Sequence, residues 1–257
     1  MKREYPILEF DAESPNYISA IANVNTEILL PECCVISFFG DAINTLVQEH
    51  KCQQIGKLVM ETFELPLYEI IDENGKKVVI LHGLGSGPYA AGQMEKLIVL
   101  GCKKFMVCGG CGVLNKNSRM GELFVPTCAI RDEGTSYHYI EPSREIFLDD
   151  PVKKVICSYL DKNDIQYRCV KTWTTDAMYR ETKKMIDLRV TEGCQVVEME
   201  CASYFAVAKY KGVSLGQLLY AGDDLSGELW DGRNWKSNSE ARSVLLRLSI
   251  NICGQLY

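Results

Sequence analysis

Short apolar runs alternate with longer amphipathic stretches along most of this chain. Cys33–Phe39 reads as a buried strand, followed by a turn at Gly40-Asp41 and a helix through His50. Leu65–Ile71 and Lys77–His82 flank Glu73-Asn74-Gly75, and Asn-Gly between two apolar runs is a hairpin signal. Pro88–Leu100 reads as a helix that ends at Gly101. Phe105–Cys108 is a further buried strand, and Gly121–Ile130 is extended. Pro151–Asp161 opens with proline in its first turn and carries Val152, Val155, Ile156, Tyr159 and Leu160 at helical spacing. Strands at Tyr167–Thr172, Gln195–Met199 and Gly216–Ala221 alternate with helices at Ala202–Lys211 and Ser239–Ile252. The alternation predicts a mostly parallel or mixed sheet covered on both faces, with ligands at the carboxyl ends of its strands.

Composition narrows the classes. A chain of 257 residues, 47% hydrophobic and 24% charged, fits one large α/β domain and not a disordered segment. A net charge of −6 argues against sequence-independent nucleic-acid binding, while leaving room for a small anionic ligand. No apolar run is long enough to span a bilayer, so no membrane partner is expected. The start, MKREYPILEFDAESPNY, is charged and interrupted by Pro6 and Pro15, which does not read as a signal peptide. The twelve cysteines sit mostly inside apolar runs and read as reduced, buried small hydrophobes. A cytoplasmic protein is expected.

Four segments after strand ends draw attention. His82-Gly83-Leu84-Gly85-Ser86-Gly87-Pro88 is a glycine-rich turn into a helix, where backbone N–H groups can meet an anion. It matches neither the dinucleotide fingerprint nor a P-loop, and a plain tight turn would use the same glycines. Cys108-Gly109-Gly110-Cys111-Gly112 spells a C-x-x-C, but no second pair at zinc spacing and only three histidines accompany it. Its glycines matter more, as a strand end open to close approach. Val196-Val197-Glu198-Met199-Glu200-Cys201-Ala202 places two carboxylates between an apolar strand and an apolar helix. They either tie down a helix N-terminus or accept hydrogen bonds from sugar hydroxyls. In Leu219–Glu228, Asp223 directly after a strand is either a general acid or the start of an Asx-turn.

Taken in order, these segments resemble the hexameric nucleoside phosphorylase and uridine phosphorylase superfamily. The resemblance runs from about Val35 to the C-terminus. Val197–Ala202 and Arg131-Asp132-Glu133-Gly134-Thr135-Ser136-Tyr137-His138-Tyr139 carry it most specifically, with support from Thr174–Tyr179 and Gly109–Gly112. It implies a single three-layer α/β/α domain over residues 1–257, with a mixed, largely parallel sheet and residues 1–30 as an N-terminal extension. It implies cleavage of a nucleoside's N-glycosidic bond and a homodimer or homohexamer, with phosphate as possible co-substrate and no metal or organic cofactor. Ribose would be held by Glu200 and Met199, with Glu198 nearby. The base would lie at Met178, Gly112 and Val197, and Gly40, Gly109 and Gly110 mark the phosphate region. Asp223 falls at the position of the acid that protonates a purine. Thr182 and Lys184 stand where uridine phosphorylases carry Gln and Arg, which leans the reading toward a purine-type base.

The family's phosphate arginines are missing: Asn44, Glu61 and Val107 occupy their places, and the N-terminal histidine from the partner is not evident. Asn44 is also not the glutamate that hydrolytic relatives use. Phosphorolysis is therefore expected on family grounds, with hydrolysis as the alternative and a non-catalytic nucleoside-binding protein as a third reading. The remaining cations, Arg119, Arg131, Arg180, Lys183, Lys184, Arg189 and Arg233, are expected to be mostly solvated. The loop Ser226–Ser237, with Trp230 and Trp235, either shields the site or covers a core edge.

Overall fold

A computed structural model describes residues 2–24 and 28–257. Residues 1 and 25–27 of the expected N-terminal extension lie outside the described residues. The order of elements is β1 (Cys33–Ser37), α1 (Gly40–Gln48), β2 (Gln53–Val59), β3 (Glu64–Ile71), β4 (Lys77–His82), α2 (Gly87–Val99), β5 (Lys104–Val113) and β6 (Leu123–Asp132). Then come β7 (Glu145–Phe147), α3 (Asp150–Lys162), β8 (Arg168–Thr175), α4 (Lys183–Thr191), β9 (Cys194–Glu198), α5 (Cys201–Lys211), β10 (Ser214–Asp224) and α6 (Ser239–Cys253). Short 3-10 turns lie at Pro6–Leu8, Ala20–Asn23, Thr135–His138, Met178–Arg180 and Trp235–Ser237.

All ten strands belong to one mixed sheet, ordered β10-β6-β8-β9-β5-β1-β4-β3-β2, with β7 on β6. Strand β5 also pairs with β10, so β10, β6, β8, β9 and β5 close into a small ring. Cys111, Val113, Phe124, Val170, Val196, Leu219 and Ala221, one or two from each of these five strands, pack together as one cluster. Helices α2 and α5 pack on each other over one face, while α6 touches α1 and α3 over the other. The layers follow from the sequence. The central residues of β1, β4 and β5 are apolar, because both faces of the sheet are covered there.

The hairpin forms as expected: β3 and β4 pair antiparallel, and Gly75 takes φ +82° in the turn. Gly101, just past α2, takes φ +115°, and Gly212 ends α5 in the left-handed conformation. Three expectations change. Gly40-Asp41 is the first turn of α1 and not a separate turn. Strand β5 does not stop before Gly109 but continues through Val113. A Cβ at Gly109 would come within 3.3 Å of the Phe38 ring, and one at Gly110 within 3.3 Å of the Tyr220 ring. Those glycines make room inside a strand for neighbouring rings. Likewise β10 runs on to Asp224, so Asp223 lies within the strand's end.

The twelve cysteines are free thiols, and nine of them are buried. No helix among the described residues is long and apolar enough to cross a membrane.

Candidate active site

The site is built where β5, β9 and β10 end together. Gly112 on β5 pairs with Val197 on β9, which brings the last residue of β9, Glu198, beside the end of β5. On the other side β10 follows β5 in parallel, up to a register shift between Ala221 and Asp224. A Cβ at Gly112 would meet Leu225 Cδ1 at 2.5 Å, Val197 Cγ1 at 3.0 Å and Asp223 Oδ1 at 3.5 Å. Gly112, Val197, Asp223 and Leu225 thus share one spot, packed so closely that only glycine fits there.

The two carboxylates of the Glu198–Glu200 segment do different things. Glu198 Oε1 accepts from the Thr174 hydroxyl at 2.6 Å and the Thr172 hydroxyl at 3.2 Å. Its Oε2 accepts from the backbone N–H groups of Glu200 at 2.8 Å and Cys201 at 2.7 Å. Both oxygens are therefore engaged within the chain, and they satisfy donors at the start of α5 that would otherwise be orphaned. Burial pushes this carboxyl above the usual range, while the four hydrogen bonds pull it back. Glu198 thus lies under the site as a support, and the structure gives it no free oxygen for a sugar.

Glu200 accepts the backbone N–H of Ser86 at 2.7 Å. Burial, then the charge of Glu198, raise its carboxyl to about 8. Ser86 sits in the glycine-rich turn at φ +91°, ψ 147°, a conformation almost confined to glycine. Strain of this kind survives where surroundings hold it, and the hydrogen bond to Glu200 is the visible hold. Met199, half-buried, lies between the two carboxylates, and Asp176 adds a further negative charge toward Glu200. Asp176 itself accepts from Gly134 N–H at 2.8 Å.

Met178 is 48% exposed at the start of its 3-10 turn, which leaves its side chain available to a planar ligand. Three residues on, the half-buried carboxyl of Glu181 is raised to about 7 by burial and by the charge of Asp223. Asp223 Oδ2 accepts the indole N–H of Trp230 at 2.7 Å. The Asx-turn weighed for Asp223 belongs to its neighbour: Ser226 N–H donates to Asp224 Oδ1 at 2.8 Å.

The Gly109–Gly110 stretch packs on Phe38 and Tyr220, and Gly40 lies at the start of α1. A Cβ there would stand 3.2 Å from His82 Cε1 and 3.5 Å from Nδ1. His82 is half-buried, and burial lowers its pKa, which favours the neutral imidazole. Arg242, from α6, pairs with Asp41 at 2.8 Å beside Gly40.

The cations divide. Arg119, Arg180, Lys183 and Lys184 are exposed as expected, but Arg131 and Arg189 are buried. Arg131 donates to Ser136 Oγ, Ser143 Oγ and the Glu141 carbonyl, and lies 4.2 Å from the centre of the Tyr137 ring. Arg189 pairs with Asp132 and Glu192. Both are fixed by the fold. Arg233 binds the carbonyls of Gly222, Ser118 and Asp223 and so fastens the root of the Ser226–Ser237 loop. In that loop Trp235 covers a core edge and Trp230 reaches the site. Sequence reasoning missed Ser86, His82 and Glu181. The only signal for Ser86 was a non-glycine inside a glycine-rich turn. His82 opened the same segment, and Glu181 carried no signal, since Asp223 reaches it from a distant strand.

The model of the phosphorylase superfamily matches residues 32–248. A guanosine phosphorylase from Halorubrum lacusprofundi is 30% identical over 136 residues, which cover 53% of this chain and 56% of that protein. The chain spans just over half to about three fifths of the length of the curated relatives it matches. Among solved structures, a uridine phosphorylase from Vibrio fischeri superposes with a TM-score of 0.75 at 18% identity, covering 91% of this chain and 97% of that one. An AMP nucleosidase from Bacteroides thetaiotaomicron gives a TM-score of 0.70 at 21% identity, covering 88% of each chain. At these identities the solved structures speak for the fold.

Proposed function

We propose, from the premise that the chain belongs to the phosphorylase superfamily, that it cleaves the N-glycosidic bond of a purine-type nucleoside by phosphorolysis. The observation that carries this reading is that Asp223 and the strand leading into Glu200 both reach Gly112. Asp223 Oδ1 faces Gly112, and Gly112 pairs with Val197, three residues before Glu200. Asp223 supplies a proton to the departing base. Glu200 and the Met199 segment hold the ribose, with Glu198 fixing their backbone from beneath. Met178 and Val197 flank the base at Gly112. The bond breaks with negative charge building on the departing base, so a proton delivered to the leaving group lowers the barrier. The guanosine phosphorylase relative supports a purine-type base.

Phosphate would enter at Gly40, beside His82, with Gly109 and Gly110 behind it. Hydrolysis is the second reading. Among the described residues no arginine takes the places where the family holds phosphate, since Asn44, Glu61 and Val107 stand there. The neutral imidazole of His82 is suited to orienting water as well as phosphate. The reading carries a homodimer or homohexamer with it, supported by the exposed apolar Val59, Phe63 and Tyr89, on and beside the β2–β3 hairpin and α2. Cytoplasmic location and the absence of a cofactor belong to the same reading.

Product analysis with purine and pyrimidine nucleosides, with and without phosphate, tests it. Free base and ribose 1-phosphate, formed only with phosphate, is the expected result. Free base and ribose regardless of phosphate would replace phosphorolysis by hydrolysis. Binding without cleavage would leave a nucleoside-binding protein.

A further inference from the structure

The chain turns back on itself immediately after β10. Asp224 N–H donates to the Asp231 carbonyl at 2.8 Å, and Asp231 N–H donates to the Asp224 carbonyl at 2.9 Å. This two-bond closure brings Trp230 level with Asp223. A Cβ at Gly232 would come 2.9 Å from the Trp230 ring, so glycine there lets the ring lie back toward the strand. The indole N–H then donates to Asp223 Oδ2 at 2.7 Å, although the side chain remains 66% exposed. So exposed a tryptophan adds little to the core. Its one polar group is directed at one oxygen of one carboxyl. The other oxygen, Oδ1, is the one that faces Gly112.

We propose that Trp230 is a positioning residue that holds Oδ2 of Asp223, so that Oδ1 carries the proton to the departing base. The proposal rests on the reading of Asp223 as the acid. In the step, the proton on Oδ1 passes to a ring nitrogen of the base as the glycosidic C–N bond breaks. The bonding electron pair leaves with the base, and Asp223 is left as a carboxylate. A hydrogen bond from a neutral donor to that new charge is stronger than one to the neutral acid, so the indole favours the transfer. Around the carboxyl stand Glu181, Cys111 and Tyr220, with Arg233 bound at the backbone.

The test compares guanosine with 7-methylguanosine, whose base already bears positive charge and leaves without a proton. Trp230→Phe keeps a ring and removes the donor. It is expected to lower kcat/KM for guanosine about 10- to 100-fold, mostly in kcat, and to lower it at least fivefold less for 7-methylguanosine. Equal losses on both substrates would overturn the proposal, because a merely structural role weakens both alike. Protein labelled with 15N-tryptophan gives a readout that does not need turnover. The Trp230 indole N–H resonance, assigned by its absence in Trp230→Phe, should move in Asp223→Ala. An unmoved resonance would overturn the contact and the proposal, leaving the acid assignment standing. Failure of the wild-type protein to cleave either nucleoside would overturn the acid assignment, and the proposal with it.

Discussion

Replacing Glu200 by Gln should change how stability depends on pH. The folded chain holds the Glu200 carboxyl at about 8, through burial and the charge of Glu198. In the unfolded chain a glutamate titrates near its ordinary value of about 4.3. Between those two values the unfolded state binds fewer protons than the folded one, so stability falls as pH rises. Below about 4.3 both states hold the proton and the contribution is complete; above about 8 it is gone. From pH 5 to pH 8 the loss is about 3 kcal/mol, taking about 1.4 kcal/mol per pH unit over most of that span. Glutamine keeps the oxygen that accepts from Ser86 and has no proton to lose. Urea unfolding of both proteins at pH 5, 6, 7 and 8, at one protein concentration, checks this. The wild type should lose stability relative to Glu200→Gln as pH rises, with the gap closing by about 3 kcal/mol. Two curves that stay parallel within about 0.5 kcal/mol would show that Glu200 titrates alike in both states, and the buried-carboxyl argument would fail.

Glu198→Ala should cost about 3–5 kcal/mol in chemical denaturation, because it orphans two backbone N–H groups and two threonine hydroxyls; a loss below about 1 kcal/mol would mean water replaces the carboxylate. Ser86→Gly should raise stability by about 1 kcal/mol through release of the strained backbone, and calorimetry showing destabilisation would remove the strain from the account. Gly112→Ala should destabilise by about 1–3 kcal/mol, since its methyl meets Leu225 at 2.5 Å. The same methyl should abolish nucleoside binding by titration calorimetry, and unchanged affinity would move the base elsewhere.

Much of the layered fold was legible because buried strands and amphipathic helices leave opposite periodicities in a sequence. The elements that escaped lacked such a signature. Strand β2 is exposed along most of its length and carries Gly56 in its middle. Helix α4 buries only Ile186 and Arg189, so no apolar stripe marks it. The extent of β5 was hidden for another reason: four residues of Gly-Gly-Cys-Gly look like a strand's end until Phe38 and Tyr220 are seen beside them. Within the site, Glu200 and Asp223 stood out as acids after apolar runs. The division of labour between Glu198 and Glu200 did not, because it depends on Thr172 and Thr174 from the adjacent strand. The reach of Trp230 to Asp223 depends on a backbone closure between Asp224 and Asp231 that spacing does not encode.

The ring of strands also governs how the molecule opens. Strands β8 and β9 have a neighbour on each side within the ring, so their amides are released only when the ring breaks as a unit. Strand β2, at the end of the β4-β3-β2 arm, has pairing on one side alone and frays from there. Hydrogen exchange should therefore run fast and graded along the arm, and slow and concerted around the ring. Closure of the ring needs β10 on β5, with Ser214 opposite Lys104, a pairing between remote parts of the chain. Contacts of that kind form late and slowly. Asp223 takes its place on the same strand that shuts the ring, so whatever parts β10 from β5 also draws the acid away from Gly112.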